Sequence, residues 1–158
     1  MRLPEYLKRP IIDTEKTKKV RHLLKEKCLY TVCDGARCPN KGECYSRNTA
    51  TFLVMGNVCT RNCRYCNISA AKPKPLDVEE PKHIAEAVKD LGLKYVVITS
   101  VTRDDLDDGG AKHFADCVRE IRKISDAKIE ILTPDFKAKK NSLNIILDSD
   151  RKSTRLNS

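Results

Sequence analysis

The residues of this chain best suited to chemistry are Cys59, Cys63 and Cys66, spaced C-x₃-C-x₂-C directly after the apolar run Thr51-Phe-Leu-Val-Met55. A strand that ends in a tight cysteine loop can bring three thiolates to one point. Three thiolates can hold three irons of a cubane cluster and leave the fourth iron open to a substrate or cofactor, whereas iron–sulfur clusters otherwise take four cysteines. Zinc sites favour paired C-x₂₋₄-C units closed to four ligands. The spacing therefore favours a cluster, with a zinc knuckle or a disulfide loop as alternatives. A second triplet, Cys33, Cys38 and Cys44, is spaced C-x₄-C-x₅-C among Gly35, Pro39 and Gly42, which break regular structure. It reads as a loop folded around something and is again one ligand short of a closed cage. Zinc completed by a distant fourth ligand fits this second spacing too.

Alternating strands and helices must position these loops. Strands are expected at 51–55, 94–99 and 128–132, and helices at 80–91, 111–124 and 141–147. In the first of these helices Pro81 suits the first turn, Ile84, Ala85, Val88 and Leu91 share one face, and Gly92 is the C-terminal stop. In the second, Phe114, Cys117, Val118, Ile121 and Ile124 share a side, so Cys117 reads as a core residue. The unbroken apolar run Tyr95-Val-Val-Ile98 fits a parallel strand covered on both faces. Alternation of this kind implies a parallel sheet with right-handed crossovers, whose active residues lie on loops at the strand C-terminal ends. Cys59–Cys66 and Ser100–Gly110 both fall there. Upstream, residues 14–27 carry Val20, Leu23 and Leu24 at helical spacing, with Thr14 as N-cap and Glu15 beside it. Cys28 reads as a free thiol or a helix-end residue, and Lys72-Pro-Lys-Pro75 as an extended connector.

The chain has 158 residues, enough for one ordinary domain, and contains eight cysteines. Met1-Arg-Leu-Pro-Glu5 lacks the apolar region of a signal peptide, and no stretch approaches the length of a transmembrane helix. A cytoplasmic, reducing location is expected, where cysteines bind metal rather than pair. The glycosylation sequon at Asn67-Ile-Ser69 then reads as chance. The formal charge of +9 admits nucleic acid or an acidic protein partner. Few aromatics lie among the basic residues, so the stacking platforms of single-strand binders are missing. The charge is read chiefly as solvated surface, with a part that could greet an acidic carrier domain; neither nucleic acid nor membrane is expected as a partner.

The flanking residues narrow the reading. Thr31-Val-Cys-Asp-Gly-Ala-Arg-Cys-Pro-Asn-Lys-Gly-Glu-Cys44, Thr49-Ala-Thr-Phe52, Gly56-Asn-Val-Cys-Thr-Arg-Asn-Cys63 and Val101-Thr-Arg-Asp-Asp-Leu-Asp-Asp-Gly-Gly110 together resemble the lipoyl synthase family of radical S-adenosylmethionine enzymes, nearly continuously from Pro4 to Lys137. The resemblance implies a partial (β/α)₆ barrel, of which this chain supplies the first half. It implies a [4Fe-4S] cluster on Cys59, Cys63 and Cys66 that binds S-adenosylmethionine at its open iron and cleaves it to a 5′-deoxyadenosyl radical. It assigns Cys33, Cys38 and Cys44 to an auxiliary [4Fe-4S] cluster that gives up sulfur to carbons six and eight of an octanoyl group on a carrier protein. An electron donor such as ferredoxin or flavodoxin is implied as well. Thr99, Ser100, Arg103 and Asp104 are candidates to hydrogen-bond the S-adenosylmethionine, and Gly109-Gly110 to allow close backbone approach. Asp107 and Asp108 read equally well as part of that site or as caps of the following helix.

Three segments are expected: 1–48, with the first helix and the auxiliary cysteine loop; 49–149, the first half of the barrel; and 150–158, a tail unlike the family that reads as a translated sequencing adapter. In the family a serine near the C-terminus completes the auxiliary site, and Ser153 and Ser158 of the tail are no substitutes. The third strand would then be an exposed edge, prone to aggregation, and the chain by itself inactive. A zinc-binding interaction module would explain the triplets and the charge but not the βα alternation.

Overall fold

The computed structural model describes residues 15–36, 38–47, 49–149 and 153–157; Thr14, expected as a helix cap, lies outside them. In chain order the elements are α1 (Glu15–Glu26), β1 (Tyr30–Thr31), α2 (Val32–Gly35), α3 (Lys41–Ser46), β2 (Thr51–Val54), β3 (Val58–Cys59), β4 (Ser69–Ala70), α4 (Glu80–Asp90), β5 (Tyr95–Ser100), α5 (Ala111–Ile124), β6 (Lys128–Pro134), a one-turn 3₁₀ segment (Phe136–Ala138), α6 (Lys140–Asp148) and β7 (Ser153–Asn157).

The main sheet runs β1-β2-β5-β6-β7, parallel throughout except for β1, which is antiparallel to β2. From β2 onward each strand lies beside the next in sequence, with no reversal of order. A sheet wound in one direction places its helices on one face, as in a barrel wall. Accordingly α4 packs on α5 and α5 on α6. The register makes Phe52, Ile98 and Ile131 neighbours, and all three are fully buried under these helices. The opposite face carries Leu53, Val97, Thr99 and Leu132 and is more open.

Local signals explain the helix limits. α4 begins with Pro81 in its first turn and ends before Gly92, whose φ of 60° is the left-handed stop, with Leu93 N–H closing back on Val88 at 3.0 Å. α5 spans the expected residues and buries Phe114, Cys117, Val118 and Ile121, each apolar side chain contributing about 1.5–3 kcal/mol. Ile124, expected on that face, is 39% exposed at the helix end.

Two expectations are corrected. The Cys33–Cys44 segment is not free of regular structure: α2 and α3 form within it, because Thr31 caps α2 by accepting the Asp34 N–H at 3.2 Å. β6 is not an exposed edge, since the parallel strand β7 pairs with it from Glu130↔Ser153 to Pro134↔Asn157. β4 pairs with β3 in a second, two-stranded ladder, and the connector Lys72–Pro75 follows it without regular structure.

Candidate metal centre

The first cysteine loop is anchored at one end and open at the other. Cys59 lies in β3, and Ala71 N–H closes on its carbonyl at 3.1 Å. Its buried sulfur accepts the backbone N–H groups of Thr102 at 3.3 Å and Arg61 at 3.4 Å. Cys63 is half-buried and Cys66 exposed, linked by the Cys66 N–H to Cys63 carbonyl bond of 3.0 Å. Thr60 locks the loop to the end of β5: its N–H and hydroxyl donate to Thr102 carbonyl at 3.1 and 2.9 Å, and its hydroxyl accepts Asp104 N–H at 3.1 Å. The loop and the segment after β5 thus meet at the C-terminal end of the sheet, as parallel folds require of their sites.

Beneath the loop, the turn after β2 is fixed by buried charge. Met55 adopts a left-handed φ of 67°. Its N–H donates to Glu80 at 2.8 Å, and its carbonyl accepts Arg103 Nη1 at 3.5 Å. Glu80 also meets His113 Nε2 at 2.6 Å. Gly110, with φ 89°, starts α5 so close to Met55 that a Cβ there would lie 2.2 Å from the Met55 sulfur. A Cβ on Gly109 would lie 2.9 Å from the Phe136 ring. The glycine pair does permit close approach, with Met55 and Phe136 as the approaching groups.

The second triplet is held by Asp34. Its carboxylate accepts Thr31 and Tyr45 hydroxyls at 2.8 and 3.0 Å and pairs with Lys41 at 2.7 Å. Burial works against ionisation of Asp34, yet Lys41, Thr31 and Tyr45 hold its carboxyl below the usual range. Burial pushes the Cys33 thiol up, opposed by a backbone hydrogen bond from Thr51 and reinforced by Cys44 and Cys38. The two loops also touch. Asn67 donates to Gly35 carbonyl at 2.9 Å, and a Cβ on Gly35 would lie 2.7 Å from Ile68 Cδ1.

Of the residues expected near S-adenosylmethionine, Thr99 lies on the open face with its hydroxyl on Leu132 carbonyl at 3.0 Å. Ser100, in register with Val54, has a buried hydroxyl with no hydrogen-bond partner among the described residues. Arg103 is 2% exposed and engaged by Asp105 at 2.8 Å. Asp104 receives a fork from Arg61, Nε at 2.7 Å and Nη2 at 2.9 Å. Asp108 caps α5 by accepting Gly110 and Lys112 N–H groups at 2.8 Å each, so the capping reading holds for it. Cys117 is a core thiol, pushed well up by burial. Cys28 is an exposed helix-end residue with φ 54°.

Sequence reasoning missed Arg61, Asp135, Glu80 and His113, whose partners are distant in the chain. It also missed the Thr31–Asp34 cap, which the T-x-x-D spacing signals.

Among the described residues, no three His, Cys, Asp or Glu side chains close around a single metal ion. A cubane cluster sets its thiolates on separate irons, farther apart than the ligands of one ion. Three thiols on one loop, backed by N–H donors to sulfur, suit such a cluster in donor chemistry.

The model of the Radical SAM superfamily matches residues 53–155, from β2 into β7. The chain belongs to this superfamily. An iron–sulfur cluster and S-adenosylmethionine go with membership. The superfamily chain is also similar to proteins named lipoyl synthase. It is 53% identical to that of Aquifex aeolicus over 140 residues, 88% of this chain and 51% of the relative. It is 48% identical to that of Caldanaerobacter subterraneus subsp. tengcongensis over 149 residues, 94% of this chain and 52% of the relative. Against Pseudomonas putida the identity is 51% over 137 residues, 86% of this chain and 40% of the relative. The chain spans about half the length of the curated relatives it matches, or less. No helix among the described residues is long and apolar enough to cross a membrane.

Proposed function

We propose that the protein from which this sequence is drawn is a lipoyl synthase, a sulfurtransferase that inserts two sulfur atoms into a protein-bound octanoyl group at carbons six and eight. The observation that carries this reading is the contact between the segments bearing two separate cysteine triplets, Asn67 Nδ2 donating to the Gly35 carbonyl at 2.9 Å. A radical enzyme that only abstracts hydrogen needs one triplet, whereas one that also donates sulfur needs a second store within reach of the same substrate.

In this reading Cys59, Cys63 and Cys66 hold the [4Fe-4S] cluster that, when bound, supplies the electron for reductive cleavage of S-adenosylmethionine. Cys33, Cys38 and Cys44 hold a second [4Fe-4S] cluster, the sulfur source. The protein's own contribution is positional. Thr60 and Thr102 fix the first loop, and the Asp34 carboxylate fixes the second. Thr99, Ser100, Arg103 and Asp104 border the S-adenosylmethionine site. In this reading Arg103 and Asp104 act through the Met55 carbonyl and Arg61. Residues 1–48 form the auxiliary segment, 49–149 the barrel wall, and 150–158 remain assigned as an adapter-derived tail. The partners are an octanoylated carrier domain and a one-electron donor of ferredoxin or flavodoxin type, in the cytoplasm.

The test is a pair of triple variants in a chain of the relatives' full length, reconstituted anaerobically. Cys59→Ala/Cys63→Ala/Cys66→Ala is expected to lose one cluster's iron and sulfide together with S-adenosylmethionine cleavage. Cys33→Ala/Cys38→Ala/Cys44→Ala is expected to keep cleavage and lose sulfur insertion. Cleavage surviving in the first variant, or lost in the second with the first cluster intact, refutes the assignment.

A further inference from the structure

Arg61 stands midway between Cys59 and Cys63, yet its side chain turns away to two carboxylates beyond the ends of other strands. Nε and Nη2 donate to Asp104 after β5 at 2.7 and 2.9 Å; Nη1 and Nη2 donate to Asp135 after β6 at 3.1 and 2.8 Å. One guanidinium thus forks to two acids, a geometry that only arginine provides. The Asp135 side of the fork is built at a conformational cost. Phe136, Lys137 and Ala138 follow it with φ values of 49°, 52° and 57°, three successive left-handed residues without a glycine. Asp135 braces this turn by accepting Lys137 N–H at 3.1 Å, and Lys137 Nζ returns to within 3.7 Å of Asp104. Strained backbone of this kind persists where surrounding structure over-determines it, and it gathers at functional sites.

We propose that Arg61 is the positioning residue of the cysteine loop, a clasp that fixes Cys63 and Cys66 over the ends of β5 and β6 through Asp104 and Asp135. The clasp rests on the reading of Cys59, Cys63 and Cys66 as cluster ligands. It gives Asp104 and Asp135 the role of anchors rather than cofactor contacts. Cys59 needs no such device, because β3 and the Thr102 N–H already hold it. Cys63 and Cys66 lie farther along the loop, and Arg61 ties the loop to Asp135 just beyond β6.

Two measurements test this. Hydrogen exchange on the cluster-free chain compares the parent with Arg61→Gln. Amides of residues 60–66 are expected to exchange about tenfold faster or more in the variant, with α5 unchanged; rates within threefold of the parent would overturn the clasp. Should Arg61→Gln unfold the chain, with equal gains in α5, the milder Asp135→Asn decides. It leaves the Asp104 fork and is expected to loosen the loop about threefold, and unchanged loop exchange overturns the proposal. The second measurement uses chain reconstituted to the parent's iron content. In Arg61→Gln the change in the reduced cluster's electron paramagnetic resonance signal on adding S-adenosylmethionine is expected to need at least tenfold more of it, with Arg61→Lys intermediate; an unchanged titration overturns positioning. Failure of the underlying reading looks different: the alanine triple variant of the first triplet would keep its cluster, whatever the exchange rates.

Discussion

Glu80, at the start of α4, accepts the backbone N–H of Met55 at 2.8 Å across 25 residues of sequence. The same oxygen meets His113 of α5 at 2.6 Å, and both side chains are less than a tenth exposed. A buried carboxylate therefore supports the turn from which the cysteine loop departs. Glu80→Ala strands a buried N–H and a buried imidazole together and is expected to cost about 2–4 kcal/mol. Glu80→Gln keeps an acceptor and is expected to cost less than half as much. Urea unfolding of both variants checks the order.

Gly110 bears on the same turn from the other side. Alanine there meets two objections, a φ of 89° and a Met55 sulfur 2.2 Å from the new Cβ. Gly110→Ala is expected to destabilise by about 2–3 kcal/mol, combining left-handed strain with overpacking. Met55→Ala in the same chain should return part of that loss by removing the clash. Thermal unfolding of the single and double variants measures the coupling.

Cys28 ends α1 with φ 54°, where glycine is the usual residue, and its thiol is exposed. Cys28→Gly is expected to stabilise the chain by up to about 1 kcal/mol through relief of that strain, while iron content after reconstitution stays that of the parent. A fall in iron content would make Cys28 a ligand instead.

Acid should loosen the clasp around Arg61. Its guanidinium holds the Asp104 and Asp135 carboxyls below the ordinary range, against the small opposing effect of burial. Both folded values lie under the unfolded value of about 3.9, so their contribution is complete above it and disappears as pH falls through the depressed values. The stability difference between parent and Arg61→Gln should accordingly be flat from about pH 5 to 7 and shrink below about pH 4. Denaturant midpoints across that range test the sign.

The readable parts of this molecule were those with local patterns. α5 could be bounded from residue 111 to 124 because Phe114, Cys117, Val118 and Ile121 repeat at helical spacing. The βα alternation and both cysteine triplets are equally local. β1, β3 and β4 were not readable, since a two-residue ladder has no periodicity to display. β7 is not legible either, because its pairing with β6 is non-local and residues 150–158 carry no strand pattern of their own. Arg61 and Asp135 are 74 residues apart, and nothing near either one announces the other. Only packing of successive strands in order makes them neighbours.

That same separation has a consequence for how metal is acquired. Each candidate set of thiols is close along the chain, Cys59 to Cys66 and Cys33 to Cys44, so its members stay within a short loop of one another even in the denatured ensemble. The entropy of gathering them grows only slowly with loop length and is already small. The groups that orient them, Asp104, Asp135 and Glu80, arrive only with long-range closure. Denatured chain is thus a chelator in its own right, and metal that binds it lowers the stabilisation that metal gives the native state. Refolding into free iron or zinc invites capture before the scaffold exists, so order of addition, protein structure first and metal second, governs what the finished chain contains.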